Sequence, residues 1–202
     1  MALGTEFGDK DVEVIEITNG WRIQTSESNK ISFIVDIDEE KFSSLYVKRM
    51  FASKNGIVTD CIDLSDNNWY GGPQQMDQRY PIQKFEFTDY AYITKEFESA
   101  AIMERYWLSS NGFFILVDYD TPLFIDQNTP DKLNQLCFTA KKALPYYVHN
   151  DEFHFHYRIG ASLNSKETHL NVINRILGKP RGMPDERLVR YPIWNTWVRF
   201  GM

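Results

Sequence analysis

Val12 to Thr18 reads Val-Glu-Val-Ile-Glu-Ile-Thr, alternating apolar and polar side chains. A period of two belongs to a strand with one face buried. Similar short runs recur along most of the chain, separated by turn residues. Trp21 to Gln24 follows a turn at Asn19-Gly20, and Lys30 to Ile37 and Ile57 to Leu64 read as further strands. Phe42 to Phe51 fits either a strand or a short helix. Phe85 to Phe87, Tyr90 to Thr94 and Met103 to Leu108 continue the series. Ser109-Ser110-Asn111-Gly112, set between apolar runs, marks a hairpin into Phe113 to Val117. Pro122 to Ile125, Leu136 to Ala140 and Phe153 to Ile159 complete the set. Short strands at this spacing indicate a β-sandwich.

The pattern changes near the end. Lys166 to Leu177 places Leu170, Ile173 and Leu177 on one helical face. Gly178 is suited to end that helix, and Pro180 forbids its continuation. After Gly178-Lys179-Pro180 comes the aromatic-rich run Pro192-Ile193-Trp194-Asn195-Thr196-Trp197-Val198-Arg199-Phe200, which reads as the first strand of a barrel. The expected organisation is an unassigned segment 1–11, a sandwich 12–165, a connecting helix and linker 166–190, and a barrel begun at 191–202. On that reading the chain is the front part of a larger enzyme.

The 202 residues suffice for one good-sized core, or a domain plus a piece of another. The 14 Phe, 11 Tyr and 5 Trp suit pleated sheets and sugar faces alike. A net charge of -6 without a basic stripe argues against a nucleic-acid partner. No apolar run is long enough for a membrane-spanning helix, and Met1 to Lys10 lacks the apolar stretch of a signal peptide. Cys61 and Cys137 form a possible disulfide in a secretory protein, or stand as two buried thiols.

Several motifs carry possible chemistry. In Trp69-Tyr70-Gly71-Gly72, two glycines allow a tight turn that presents two large rings. The rings serve a sugar-facing loop or fill a core. His154 and His156 share one strand face, but a polar outer surface explains them better than a metal site lacking a nearby third ligand. The acidic run Asp36 to Glu40 lacks the glycine and distal Glu of a calcium loop. Asp118 and Asp120 read as turn formers. Trp194 and Trp197, three apart, face opposite sides of a strand. Residues at the C-terminal end of a barrel strand are where such folds place substrate contacts, which favours Trp197 and Arg199. The sequence lacks nucleophile-elbow, phosphate-loop and dinucleotide motifs.

Taken in order, Asp60-Cys61-Ile62-Asp63-Leu64, the Trp69 to Gly72 turn, Val117 through Pro122-Leu123-Phe124, Gly178-Lys179-Pro180 and Pro192 to Trp197 resemble glycoside hydrolase family 31. The branch resembled is the myogenesis-regulating glycosidase type, and the resemblance runs from about Val12 to Phe200. It implies a mainly β fold: an antiparallel β-sandwich of the galactose-mutarotase-like kind, a short helix, and the first strand of a truncated (β/α)8 barrel. It implies retaining α-glycosidase chemistry, with two Asp carboxyl groups as nucleophile and acid/base and no metal or organic cofactor. Both catalytic positions are expected beyond Met202, leaving this chain alone inactive. Trp197, Arg199, Trp69 and Tyr70 are the expected substrate contacts, with Gly71 and Gly72 shaping the turn. The implied partners are an α-linked glycoside and the remaining barrel, and a homo-oligomer is a further expectation for the chain. The implied location is the secretory lumen, a membrane or the cell exterior.

Two other readings stand beside this one. A non-catalytic carbohydrate-binding or interaction module would use the same aromatics. A purely structural fragment would expose Trp194, Trp197 and Phe200 as an apolar patch.

Overall fold

The computed structural model describes residues 2–3, 12–26, 29–52, 56–94, 103–146 and 152–191. The chain divides into two compact units, residues 1–169 and 170–202. The first is mainly β. Its strands are β1 (Ala2–Leu3), β2 (Glu13–Ile17), β3 (Gly20–Ser26), β4 (Asn29–Glu39), β5 (Phe42–Ala52), β6 (Ile57–Asp63), β7 (Trp69–Gly71) and β8 (Phe87–Ala91). They continue as β9 (Tyr106–Ser109), β10 (Phe113–Val117), β11 (Leu123–Thr129), β12 (Lys132–Lys141) and β13 (Glu152–Ser162).

Among the described residues these form two antiparallel sheets. One has five strands in the order β1-β6-β12-β11-β8; the other has eight, β2-β3-β4-β5-β13-β10-β9-β7. The ambiguous run at Phe42 is a strand, paired along its length with β13 from Phe42↔Ser162 to Ala52↔Glu152. The hairpin expected at Ser109 to Gly112 is present. Gly112 adopts φ +91°, its N–H donates to the Ser109 carbonyl at 3.1 Å, and the Phe113 N–H donates to Ser109 Oγ at 2.9 Å.

Alternation along the strands builds the core. Val47, Phe155 and Tyr157 of the larger sheet face Val58, Ile62, Leu136, Phe138 and Ala140 of the smaller. Trp107, fully buried on β9, meets Phe138 of β12 edge-on at 4.8 Å between centroids. Each such buried aromatic contributes about 1.5–3 kcal/mol from apolar burial. One pair of charges also crosses this interior. Arg49 of β5 is ion-paired with Asp60 of β6, and the Tyr157 hydroxyl donates to the other Asp60 oxygen at 2.9 Å.

The smaller sheet's outer face carries Cys61 and Cys137, directly opposite each other on β6 and β12 and joined as a disulfide. Beside them the Thr59 and Thr139 hydroxyls pair at 2.9 Å. On the outer face of the larger sheet, His154 and His156 stack with centroids 5.0 Å apart. Arg158 reaches Asp36 at 3.0 Å and Asp118 at 3.5 Å, and Asp118 also accepts from the Tyr46 hydroxyl. Asp118 therefore does more than form a turn: it ties the β10–β11 connection to β5 and β13.

Helix α1 (Ser165–Val172) starts where Asn164 Oδ1 accepts the Glu167 N–H at 2.9 Å, an N-cap. The buried Thr168 hydroxyl donates to the Gly112 carbonyl at 2.6 Å, fixing the helix start to the β9–β10 hairpin. The helical run expected to Leu177 continues as a π turn over Ile173–Leu177. Gly178 closes it at φ +83°, its N–H donating to the Ile173 carbonyl at 2.8 Å. In the second unit α2 (Glu186–Arg190) follows, capped by Asp185, which accepts from the Arg187 N–H at 2.9 Å. No helix among the described residues is long and apolar enough to cross a membrane.

Candidate functional site

β7 is short, and its period of two separates the two rings of the aromatic turn. Trp69 points inward and is 3 % exposed, edge-on to Phe113 at 6.1 Å. Tyr70 points outward, is 39 % exposed, and lies 6.5 Å from the exposed Tyr80 ring. The expected sugar contact by Trp69 is therefore corrected: its ring belongs to the core, and Tyr70 alone of the pair is presented.

The glycines explain how so tight a turn is reached. Gly71 and Gly72 have φ +96° and +74°, a region that side chains rarely enter. A Cβ at Gly71 would lie 2.1 Å from the Tyr106 carbonyl oxygen, so backbone meets backbone there. The Gly72 N–H donates to that same carbonyl at 3.0 Å. Gln83 braces the other end. Its Oε1 accepts the Trp69 N–H at 2.9 Å, while its Nε2 donates to the Asn67 carbonyl at 3.1 Å. Gln127 and Asn128 of β11 hold the segment carrying Gln83 by donating to the Ile82 and Gln83 carbonyls, both at 2.6 Å.

A pocket of about 380 Å³ opens beside Tyr70. Tyr70 and Gly71 line one side, Tyr106 and Leu108 belong to the sheet beneath, and Lys166 and His169 come from α1. The volume falls within the range of small-molecule sites, roughly 300–1,000 Å³. Tyr106 is 7 % exposed, its ring 5.9 Å from that of His169. Its hydroxyl is buried and has no hydrogen-bond partner among the described residues. Burial pushes this phenol well above its ordinary range, so it stays protonated and able to donate. Sequence reasoning missed Tyr106, which sits unmarked in the run Met103 to Leu108.

A second cleft, also about 380 Å³, is lined chiefly by Val35, Ile37, Leu45, Phe113 and Ile159. It is almost wholly apolar and assembles no pair of titratable groups. Trp197 and Arg199, with Trp194, lie outside the described residues. Among the described residues no group of three His, Cys, Asp or Glu side chains could hold a metal.

A two-sheet antiparallel sandwich with an aromatic-glycine turn at a pocket defines the class: a β-sandwich module. The comparisons are more particular. No protein-family model matches the chain. The mouse myogenesis-regulating glycosidase is 27 % identical over 144 residues, covering 66 % of this chain and 20 % of the relative. The SITS-binding protein of Tetronarce californica is 21 % identical over 144 residues, covering 69 % and 19 %. The chain thus spans about a fifth of the length of the curated relatives it matches. Among solved structures, a family 31 sulfoquinovosidase from E. rectale gives a TM-score of 0.46 at 10 % identity, covering 74 % of this chain and 23 % of that one. A Flavobacterium johnsoniae family 31 dextranase gives 0.40 at 14 %, covering 79 % and 20 %. The chain resembles glycoside hydrolase family 31 in its myogenesis-regulating glycosidase branch.

Proposed function

We propose that this chain is the N-terminal part of a retaining exo-α-glycosidase acting on an α-linked glucoside or galactoside. The observation that carries the reading is the 27 % identity over 144 residues to a protein named as a glycosidase. Retention requires two carboxyl groups about 5 Å apart, as nucleophile and acid/base. That pair is assigned to a part of the protein outside this chain. The sandwich frames the mouth of the active site. Tyr70 supplies an exposed ring for an apolar sugar face, and Trp197 and Arg199 supply wall and hydroxyl contacts in the terminal subsite. A secretory or extracellular setting suits the Cys61–Cys137 disulfide.

The test compares the longest natural product of the gene with the 202-residue chain on p-nitrophenyl α-glucoside and α-galactoside. Hydrolysis by the longer product and none by the shorter is the expected result. Hydrolysis by the 202-residue chain alone contradicts the assignment of the carboxylates. The alternative is a non-catalytic carbohydrate-binding or interaction module, for which the outward Tyr70 and exposed Tyr80 rings speak. Sugar binding without hydrolysis by either product supports that alternative.

A further inference from the structure

We propose that His154 and His156 together chelate one divalent transition-metal ion of the copper or nickel class on the outer face of the larger sheet. The site shares no residue with the pocket beside Tyr70 and does not depend on the glycosidase reading.

Geometry carries the proposal. The two histidines stand two apart on β13, so both side chains leave the same side of the strand. Two residues advance a strand by about 6.6 Å. The imidazole centroids are only 5.0 Å apart, with the ring planes 23° from parallel. The rings therefore lean towards each other. Two imidazoles on one ion, with metal–nitrogen bonds of about 2.0 Å, have centroids about 4.5–5.2 Å apart for square-planar to tetrahedral angles. The pair already stands at that separation. Rotation of each ring about χ2 turns one nitrogen of each towards a shared ion.

The backbone beneath the rings is fixed. β13 pairs with β5, where His154 faces Met50 and His156 faces Lys48, and with β10 on its other side. The Asp118 N–H donates to the His156 carbonyl at 3.0 Å. Two ligands on a strand already ordered save most of the conformational cost of binding. The surroundings also leave room. His154 is exposed and His156 half-buried. Lys48 lies over the Tyr46 ring at 5.1 Å, and Arg158 is engaged by Asp36 and Asp118. Asp118 and Asp120 place negative charge near His156, opposing that of Lys48.

The donor set decides the class of ion. Among the described residues no third His, Cys, Asp or Glu joins the pair, so water fills the remaining positions. A structural zinc site takes four protein ligands and does not fit. Imidazole suits copper and nickel, and copper(II) leads the order of affinities at a given nitrogen site.

The experiment titrates the untagged, chelator-treated 202-residue chain with copper(II), nickel(II) and zinc(II) chlorides at micromolar to millimolar concentrations, followed by calorimetry and by Tm. The expected result is one saturable ion per chain, copper bound most tightly, with Tm raised because the ion favours the folded form. The copper spectrum in electron paramagnetic resonance should show two equatorial nitrogens. His154→Gln and His156→Gln should each weaken binding about tenfold or more, since loss of even a supporting second-shell group costs that much. His169→Gln, on α1, should leave it unchanged. The Tm of each variant without metal reports whether its fold is intact. Absence of saturable copper binding overturns the proposal. So does binding that survives both substitutions, and binding that depends on only one of the two histidines shows a single ligand rather than a chelate.

Discussion

Arg49 and Asp60 meet across the interior of the sandwich, one from each sheet, both essentially out of solvent. With the Tyr157 hydroxyl on the second carboxylate oxygen, they form a polar clamp inside an otherwise apolar core. Coulomb attraction between buried charges barely offsets the cost of taking them out of water, so the pair adds little net stability; removing one member leaves the other stranded.

Asp60→Ala is therefore expected to lose about 3–5 kcal/mol. Urea denaturation measures it. The double variant Arg49→Met/Asp60→Leu should recover most of that loss. A double variant as unstable as the single one would show that the clamp contributes through its geometry rather than its charges.

The disulfide between Cys61 and Cys137 closes a sequence separation of 76 residues. Replacing both with Ser should cost about 2–4 kcal/mol. The same loss should appear when the parent protein is measured in reductant. Equal stability with and without reductant contradicts this.

Gly71 is the position where a single methyl group does most harm to the turn. Gly71→Ala needs φ near +96° and places Cβ against the Tyr106 carbonyl. A loss of about 1–3 kcal/mol is expected from the backbone conformation alone. Gly178→Ala, also at positive φ but with open space around it, should cost less.

His156 gives a pH dependence. Burial first, then the neighbouring His154, holds its imidazole below the ordinary 6.5, with Lys48 adding to this and Asp118 and Asp120 opposing it. The Tyr46 ring also faces it, edge-on at 5.8 Å. A depressed folded value means the neutral form is favoured by folding. The stability it contributes is complete above pH 6.5 and is lost as pH falls through the lower folded value. His156→Gln should flatten the fall of Tm between neutral and mildly acid pH relative to the parent. Identical slopes would contradict this assignment.

Much of the sandwich was legible because period-two alternation and turn chemistry are local. The Asn111-Gly112 hairpin and the shared face of His154 and His156 followed from them directly. Phe42 to Phe51 stayed ambiguous because Arg49 occupies an inward position, breaking the apolar pattern. Its reason for being there, Asp60, lies on the other sheet. The Trp69 and Tyr70 roles were not separable in advance either. Which ring of a turn faces the core depends on the strand it pairs with, here β9 through Trp69↔Ser109 and Tyr70↔Leu108. Tyr106 carried no signal, since a missing partner is a property of the surroundings rather than of the residue.

The most direct test sets Tyr70 against Trp69 in the longest natural product of the gene, assayed on the α-glucosides and α-galactosides of the proposed activity. Tyr70→Ala should lower kcat/KM about tenfold, as loss of a stacking contact worth about 1.4 kcal/mol requires, with Tm unchanged. Trp69→Ala should lower stability by about 3–5 kcal/mol, the cost of emptying a core aromatic. If Tyr70→Ala leaves kcat/KM untouched, the turn does not face the substrate and the central claim fails.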